Sequence, residues 1–260
     1  MNPLQLPLHE FQSFIFVLIR ITAMFMALPA FGSKTVPPLV KIGLSMLLTI
    51  LIFPTLQVEP LPLFHKTIPL VLAVLWEIGI GLLIGYLVQL IFAGIQVAGQ
   101  MTGYQMGFGV VNVLDPQSNS QLSIIALFQN LLAMLLFLAL NVHHRVMGAI
   151  AESFRYIAPG AGHYPPALVE QVIGATGALF VVAIKIGAPM MAVLLFTNIG
   201  MGMIAKTVPQ MNVFIVAFPL QIGVGLIMLG LSLPTTIRLL QGIFSSLEGD
   251  IGRLILLIAS

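Results

Sequence analysis

Apolar residues in this chain come in long continuous runs with no alternation of period two. The runs cover residues 11–31, 40–53, 68–98, 122–140, 169–199 and 213–233. About 20 apolar residues suffice for a helix to cross the hydrocarbon core of a bilayer. The strands of a membrane barrel would alternate instead. The second run is short and closed by Pro54, the fifth contains Pro189 and the sixth is interrupted by Pro219. Residues 235–260 form an amphipathic pattern with Arg238, Glu248, Asp250 and Arg253. The pattern predicts an all-α integral membrane protein: helical hairpins with broken helices, about six nominal hydrophobic spans and an amphipathic C-terminal helix. The intervening polar stretches are too short to hold a second core, so residues 1–260 are expected to form a single membrane-embedded domain.

Composition narrows the function classes. Of 260 residues, 59% are hydrophobic and 7% are charged, against about 45–50% and about 25% in soluble domains. The mean hydropathy is +1.10. So few charges cannot cover the surface of a water-soluble fold, which excludes a soluble enzyme, a nucleic-acid binder and a disordered tail. The basic residues are scattered and form no patch for nucleic acid or anionic lipid headgroups. There is no cysteine, hence no disulfide, thiolate metal site or cysteine nucleophile. The five histidines share no helix-face spacing that would suit a metal. No P-loop, His-Glu-x-x-His or Gly-x-Ser-x-Gly motif occurs. We therefore expect no catalytic, cofactor-binding or metal-binding residues. Residues 1–10 contain Glu10 and no Lys or Arg, so the first apolar run reads as permanent structure and not as a signal peptide.

Orientation is weakly encoded. If six spans alternate, one side collects Lys66, Arg145, Arg155, Arg238 and Arg253, and the other Lys34, Lys41 and Lys206. Such a small positive-inside bias, with short spans and internal prolines, argues against six plain crossings and for some broken helices.

The third run continues into a stretch with its own pattern. At 100° per residue, Gly81, Gly85, Gln89, Gln96, Gly99, Gln100, Gly103 and Gly107 fall within about a third of the circumference. Small residues at this spacing let another backbone approach closely, and amide side chains in hydrocarbon seek partners or water. Helix packing and a pore-facing role both fit. Both require that this face meets protein or water and not lipid.

A loop candidate follows: Gly109, Val110, Val111, Asn112, Val113, Leu114, Asp115, Pro116, Gln117, Ser118, Asn119, Ser120 and Gln121. Glycines break the preceding helix and Asp-Pro stops it. The segment is apolar in its first half, polar in its second, and carries no Lys or Arg. An apolar loop in water is costly, so it is expected to tuck into a cavity, as a connecting loop or as a mobile plug in a conduit.

Three charges lie inside apolar runs: Arg20, Glu77 and Lys185. Intramembrane charges are functional candidates by default. The structural alternative is that Arg20 neutralises Glu77 while Lys185 bonds carbonyls freed near Pro189. A proton relay is the functional alternative, and a lone acid supports it poorly. The fourteen methionines read mostly as flexible core filling.

Ordered motifs along the chain resemble the FliR/SctT family of type III secretion export proteins. They are Arg20-Ile21-Thr22-Ala23, Pro29-Ala30-Phe31-Gly32, Val36-Pro37 and Lys41; Gly103, Gln105-Met106-Gly107 and Asp115-Pro116; Phe137-Leu138 to Asn141 with His143; Lys185-Ile186-Gly187-Ala188-Pro189; Asn198-Ile199-Gly200-Met201-Gly202; and Pro209-Gln210-Met211-Asn212-Val213-Phe214 leading to Phe218-Pro219-Leu220. The resemblance implies a non-enzymatic core subunit of the flagellar protein export gate in the bacterial inner membrane, within the flagellar basal body. It implies assembly with FliP-type and FliQ-type subunits, association with an FlhB-type subunit, contact with membrane lipid, passage of unfolded export substrates, and no nucleic acid. It also maps the family's plug loop onto residues 109–121. A virulence secretion homologue and a stand-alone proton-coupled transporter are the alternatives.

Overall fold

The computed structural model describes residues 5–32, 36–56, 67–108, 123–162, 164–210 and 212–259. All regular structure among them is helical. In chain order the helices are α1 (Gln5–Ala27), the single turn α2 (Pro29–Gly32), α3 (Pro38–Ile52) with a 3₁₀ turn at Phe53–Thr55, α4 (Thr67–Gln105), α5 (Ile124–Ala139), α6 (Val142–Tyr156), α7 (Pro166–Thr207) and α8 (Val213–Ala259). Five of these segments are long and apolar enough to cross a membrane, or six if α5 and α6 count as one broken span. The all-α membrane architecture expected from the sequence is therefore present.

The breaks fall elsewhere than expected. Pro189 lies inside α7, and Pro219 and Pro234 lie inside α8, and both helices run through them. A proline removes one hydrogen bond, whereas ending a helix in an apolar environment strands several more backbone groups. The segment near 213–233 and the amphipathic tail at 235–260 are consequently halves of one 47-residue helix. The chain breaks instead at Asn141, whose φ of 53° is left-handed, a conformation asparagine tolerates better than most residues.

Helix α6 falls outside all six apolar runs. It buries Val142, Val146, Ala149, Ile150, Ser153 and Phe154 along one face and exposes His144, Glu152 and Arg155. Its mixed composition hides it from any search for apolar runs.

The chain divides into two compact units. The first comprises residues 1–90, 141–175 and 245–260, the second residues 91–140 and 176–244. In the first, α1 buries Phe16, Val17, Ile21, Met24 and Phe25. Helix α3 is inside-out by soluble standards: Ser45 and Thr49 are its buried residues. Their hydroxyls donate to the carbonyls of Lys41 at 2.8 Å and Ser45 at 2.7 Å. Leu39, Leu47 and Leu51 are exposed. Such a helix is stable where its outer surface meets hydrocarbon. In the second unit, Phe92, Phe137 and Phe244 form a ring triad with centroids 5.7–6.1 Å apart. Met106, Ile125 and Leu194 form a second buried cluster, with Phe108 and Leu229 against it.

Candidate functional site

The first unit contains a fully buried ion pair. Arg20 comes from α1 and Glu77 from α4, and both are 0% exposed. The guanidinium donates through Nε to Glu77 Oε2 at 2.6 Å and through Nη2 to Oε1 at 3.0 Å. Nη2 also donates to the Ile157 carbonyl at 3.2 Å, and Nη1 to Ser153 Oγ at 3.0 Å. The Arg20 Cζ stands 4.1 Å from the centre of the Phe154 ring, a cation–π arrangement. The Gly160 N–H donates to Glu77 Oε1 at 2.6 Å. Four of the five guanidinium N–H groups are thus placed, and both carboxylate oxygens accept.

This geometry ties together α1, α4, α6 and the turn after α6. Gly160 has φ +79°, and a Cβ there would meet the Phe16 ring at 2.9 Å, so the turn that supplies the N–H needs glycine. A carboxylate held by three donors and sealed from solvent is fixed in one orientation, which suits a structural pin. Nearby, the Tyr164 hydroxyl donates to the Trp76 carbonyl at 3.3 Å, and the two rings lie 3.9 Å apart. Burial pushes the Tyr164 phenol above its ordinary pKa; the Glu77 carboxylate adds to the rise and Arg20 opposes it.

Lys185, the third intramembrane charge, sits on α7 in the second unit, exposed and without any hydrogen bond or ion pair. The bond to carbonyls near Pro189 expected for it is not made. Pro189 does free one carbonyl, that of Lys185 itself, because residue i of a helix would receive its bond from the missing N–H of residue i+4. In an α-helix a side chain leans toward the N-terminus, away from its own carbonyl, so the Lys185 side chain is not aimed at it.

The glycine and glutamine face of α4 resolves into separate contacts. In the first unit, a Cβ on Gly81 would overlap the Arg20 carbonyl, and one on Gly85 would come within 3.0 Å of the Met24 carbonyl. Both glycines therefore lie against α1. In the second unit, a Cβ on Gly99 would overlap the Ala126 backbone and one on Gly103 would overlap Ser123 Oγ, so both lie against the start of α5. Phe92 falls on the same third of the circumference and belongs to the ring triad. Gln89 is exposed, and Gln96 and Gln100 are half-buried.

Gly107 does not belong to that face. Helix α4 ends at Gln105, and Gly107 has φ +91°. The Phe108 N–H donates to the Gly103 carbonyl and the Gly107 N–H to the Tyr104 carbonyl, each at 3.1 Å. These two bonds make a Schellman cap with Gly107 as its left-handed residue. Extending the helical projection past Gln105 misplaced it; the Gly107-Phe108-Gly109 spacing was the available stop signal.

The loop candidate at 109–121 lies outside the described residues. Its flanks are described and converge. Phe108 is bonded to Gly103, and Ser123, which caps α5 by accepting from the Ile125 N–H at 3.3 Å, packs on the same Gly103. A Cβ on Gly107 would meet the Phe218 ring at 2.7 Å, with Gln221 Oε1 3.6 Å away. Gln221 Nε2 donates to Asn198 Oδ1. Sequence reasoning did not single out this amide pair. Met106 fills the core below, and Gly225 leaves room for it.

Among the described residues, no group of three or more His, Asp or Glu could hold a metal ion. The arrangement pins helices and fixes the two ends of one loop. The family model of bacterial export proteins, family 1, matches residues 11–247. The flagellar biosynthetic protein FliR of Bacillus subtilis is 33% identical over 240 residues, covering 90% of this chain and 91% of that protein. The FliR of Pectobacterium carotovorum is 32% identical over 232 residues, covering 89% and 88%. That of Escherichia coli is 29% identical over 230 residues, covering 88% and 87%.

Proposed function

The chain belongs to family 1 of the bacterial export proteins, and from that membership we propose that it is a core subunit of the flagellar type III export gate, forming part of the conduit through which unfolded flagellar substrates leave the cytoplasm. The single observation that carries this reading is the match to FliR proteins of flagellar biosynthesis through about nine-tenths of both chains. As a component of an export apparatus the chain acts within a complex. We assign it FliP-type, FliQ-type and FlhB-type neighbours, a site in the inner membrane at the flagellar basal body, and a structural rather than an enzymatic task. Residues 1–260 serve as one export-gate domain.

The local chemistry supports the assignment. A wall that passes many different unfolded segments must tolerate any sequence, which favours glycine, amide and methionine side chains over fixed charges. Gln89, Gln96 and Gln100 are suited to face such a conduit. Residues 109–121 act as a displaceable apolar plug, and the shared anchor of both loop flanks on Gly103 gives that plug a fixed root. Secretion of flagellar proteins into the medium tests the reading. Cells without the chain are expected to export none, and restoring it to return export. Cells with residues 109–121 deleted are expected to assemble the complex but leak ions. Undiminished export in the absence of the chain would overturn the assignment, and a tight membrane after the loop deletion would overturn the plug.

A further inference from the structure

Charge is distributed unevenly between the two units. The first unit holds Glu10, Glu59, Glu77, Glu152, Glu170, Glu248 and Asp250. The second holds Lys185, Lys206 and Arg238 but only one acid, Asp115. Lys185 therefore lies in a part of the chain with almost no counter-charge. It is exposed and unpaired, whereas Arg20 and Glu77 neutralise each other.

The surroundings of Lys185 make that exposure unstable in either solvent. Its stripe on α7 contains Val181, Ala188, Ala192, Phe196 and Ile199, within about 80° of one another at 100° per residue, and all are exposed. Phe196 is 71% exposed. The nearest other charges on α7 are Glu170 and Lys206, about 22 Å and about 32 Å away along the axis, farther than a lysine side chain extends. In hydrocarbon the stripe is at home and the ammonium is not. In water the ammonium is at home and the stripe is not. Pro189 adds an unbonded backbone carbonyl at residue 185. A protein surface that is apolar and carries one anion satisfies both requirements.

We propose that the Lys185 stripe of α7 is the docking face for an apolar helix of another subunit of the export complex, whose buried carboxylate pairs with the Lys185 ammonium. The inference rests on the export-complex reading above. A second copy of this chain is the wrong occupant, because its one acid deep in an apolar span, Glu77, is already sealed by Arg20. The two alanines on the stripe let a partner backbone come close enough for a short carboxylate to reach the ammonium.

The test uses the full chain in bacterial membranes with its native partners. A membrane-permeant carbodiimide adds to a carboxylate to form an O-acylisourea; a lysine amine in contact with it attacks the acyl carbon, forming an amide and releasing the reagent as its urea. After purification through a tag on this chain, mass spectrometry reads which carboxylate is joined to Lys185. The expected product joins Lys185 to an Asp or Glu within an apolar segment of another polypeptide. Lys185→Arg is expected to lose that product but keep the co-purifying subunits, since arginine retains the charge. Lys185→Met is expected to lower their recovery by about tenfold or more. Three results overturn the docking face: a link from Lys185 to Asp115 of the same chain, photoreactive groups at Phe196 that label only lipid, or full subunit recovery with Lys185→Met. A wild-type chain that recovers no other subunit overturns the export-complex reading itself, and the docking face with it. The carbodiimide product is read on the wild-type chain, so the test does not depend on any variant folding.

Discussion

The two units are held together by different physics. The first is organised around a charge. The Arg20–Glu77 pair collects donors and acceptors from α1, α4, α6 and the turn after α6. The second contains no ion pair among its described residues. It is fixed by close backbone approach at Gly94, Gly99 and Gly103, by the three-ring cluster of Phe92, Phe137 and Phe244, and by Met106 in its own core. The difference is instructive. A buried pair is directional and intolerant: it sets one geometry and penalises any other. Glycine and ring packing is non-directional and holds the second unit's core together without any buried charge among its described residues.

Substitutions can break or sharpen that contrast. The largest effect is expected at the charged node. Glu77→Ala strands a buried guanidinium and should cost about 3–5 kcal/mol, read as a fall in thermal stability of the purified complex. The double change Arg20→Met with Glu77→Leu should recover much of that loss, because removing both charges removes the unpaired one. If Glu77→Ala leaves stability unchanged, the node does not organise the first unit. In the second unit, Phe244→Ala empties the ring triad and should cost about 3 kcal/mol with no rescue by any charge change. Gly99→Ala forces α4 off the Ala126 backbone and should cost about 1–3 kcal/mol; an unchanged melting curve would mean the two helices are not in contact there. Ser153→Ala removes one donor–acceptor bridge to Arg20 and should cost about 1 kcal/mol. Gly43 on α3 has nothing within 4 Å of a built Cβ. Gly43→Ala should therefore be neutral or stabilising by less than about 1 kcal/mol, and serves as the control for both units.

Much of this is legible in the amino-acid sequence alone. Spans announce themselves because hydrocarbon admits only self-bonded backbones. The pairing of Arg20 with Glu77 was foreseeable because neither charge is stable alone in an apolar run. What stayed hidden depended on tertiary context. Helix α6 is too polar to register as a span, and only its burial of Val146, Ile150 and Phe154 against the first unit makes it a helix of the core. Gly107 was projected onto a helix that ends two residues earlier, since a glycine reads alike as a packing residue and as a cap. The continuity of α8 through Pro219 and Pro234 could not be inferred from proline alone. Lys185 shows the reverse: the sequence flagged the charge, and only the structure reveals that this chain leaves it unpaired.

The claim on which the rest depends is that this chain is one stave of a larger tube, with its exposed apolar helices covered by other subunits. The intact mass of the particle purified through this chain in mild detergent tests it directly. The account predicts a discrete assembly several times heavier than the 28.0 kDa chain, containing other helical membrane subunits. A monodisperse, folded particle of the single chain that moves a small solute by itself in liposomes would contradict it.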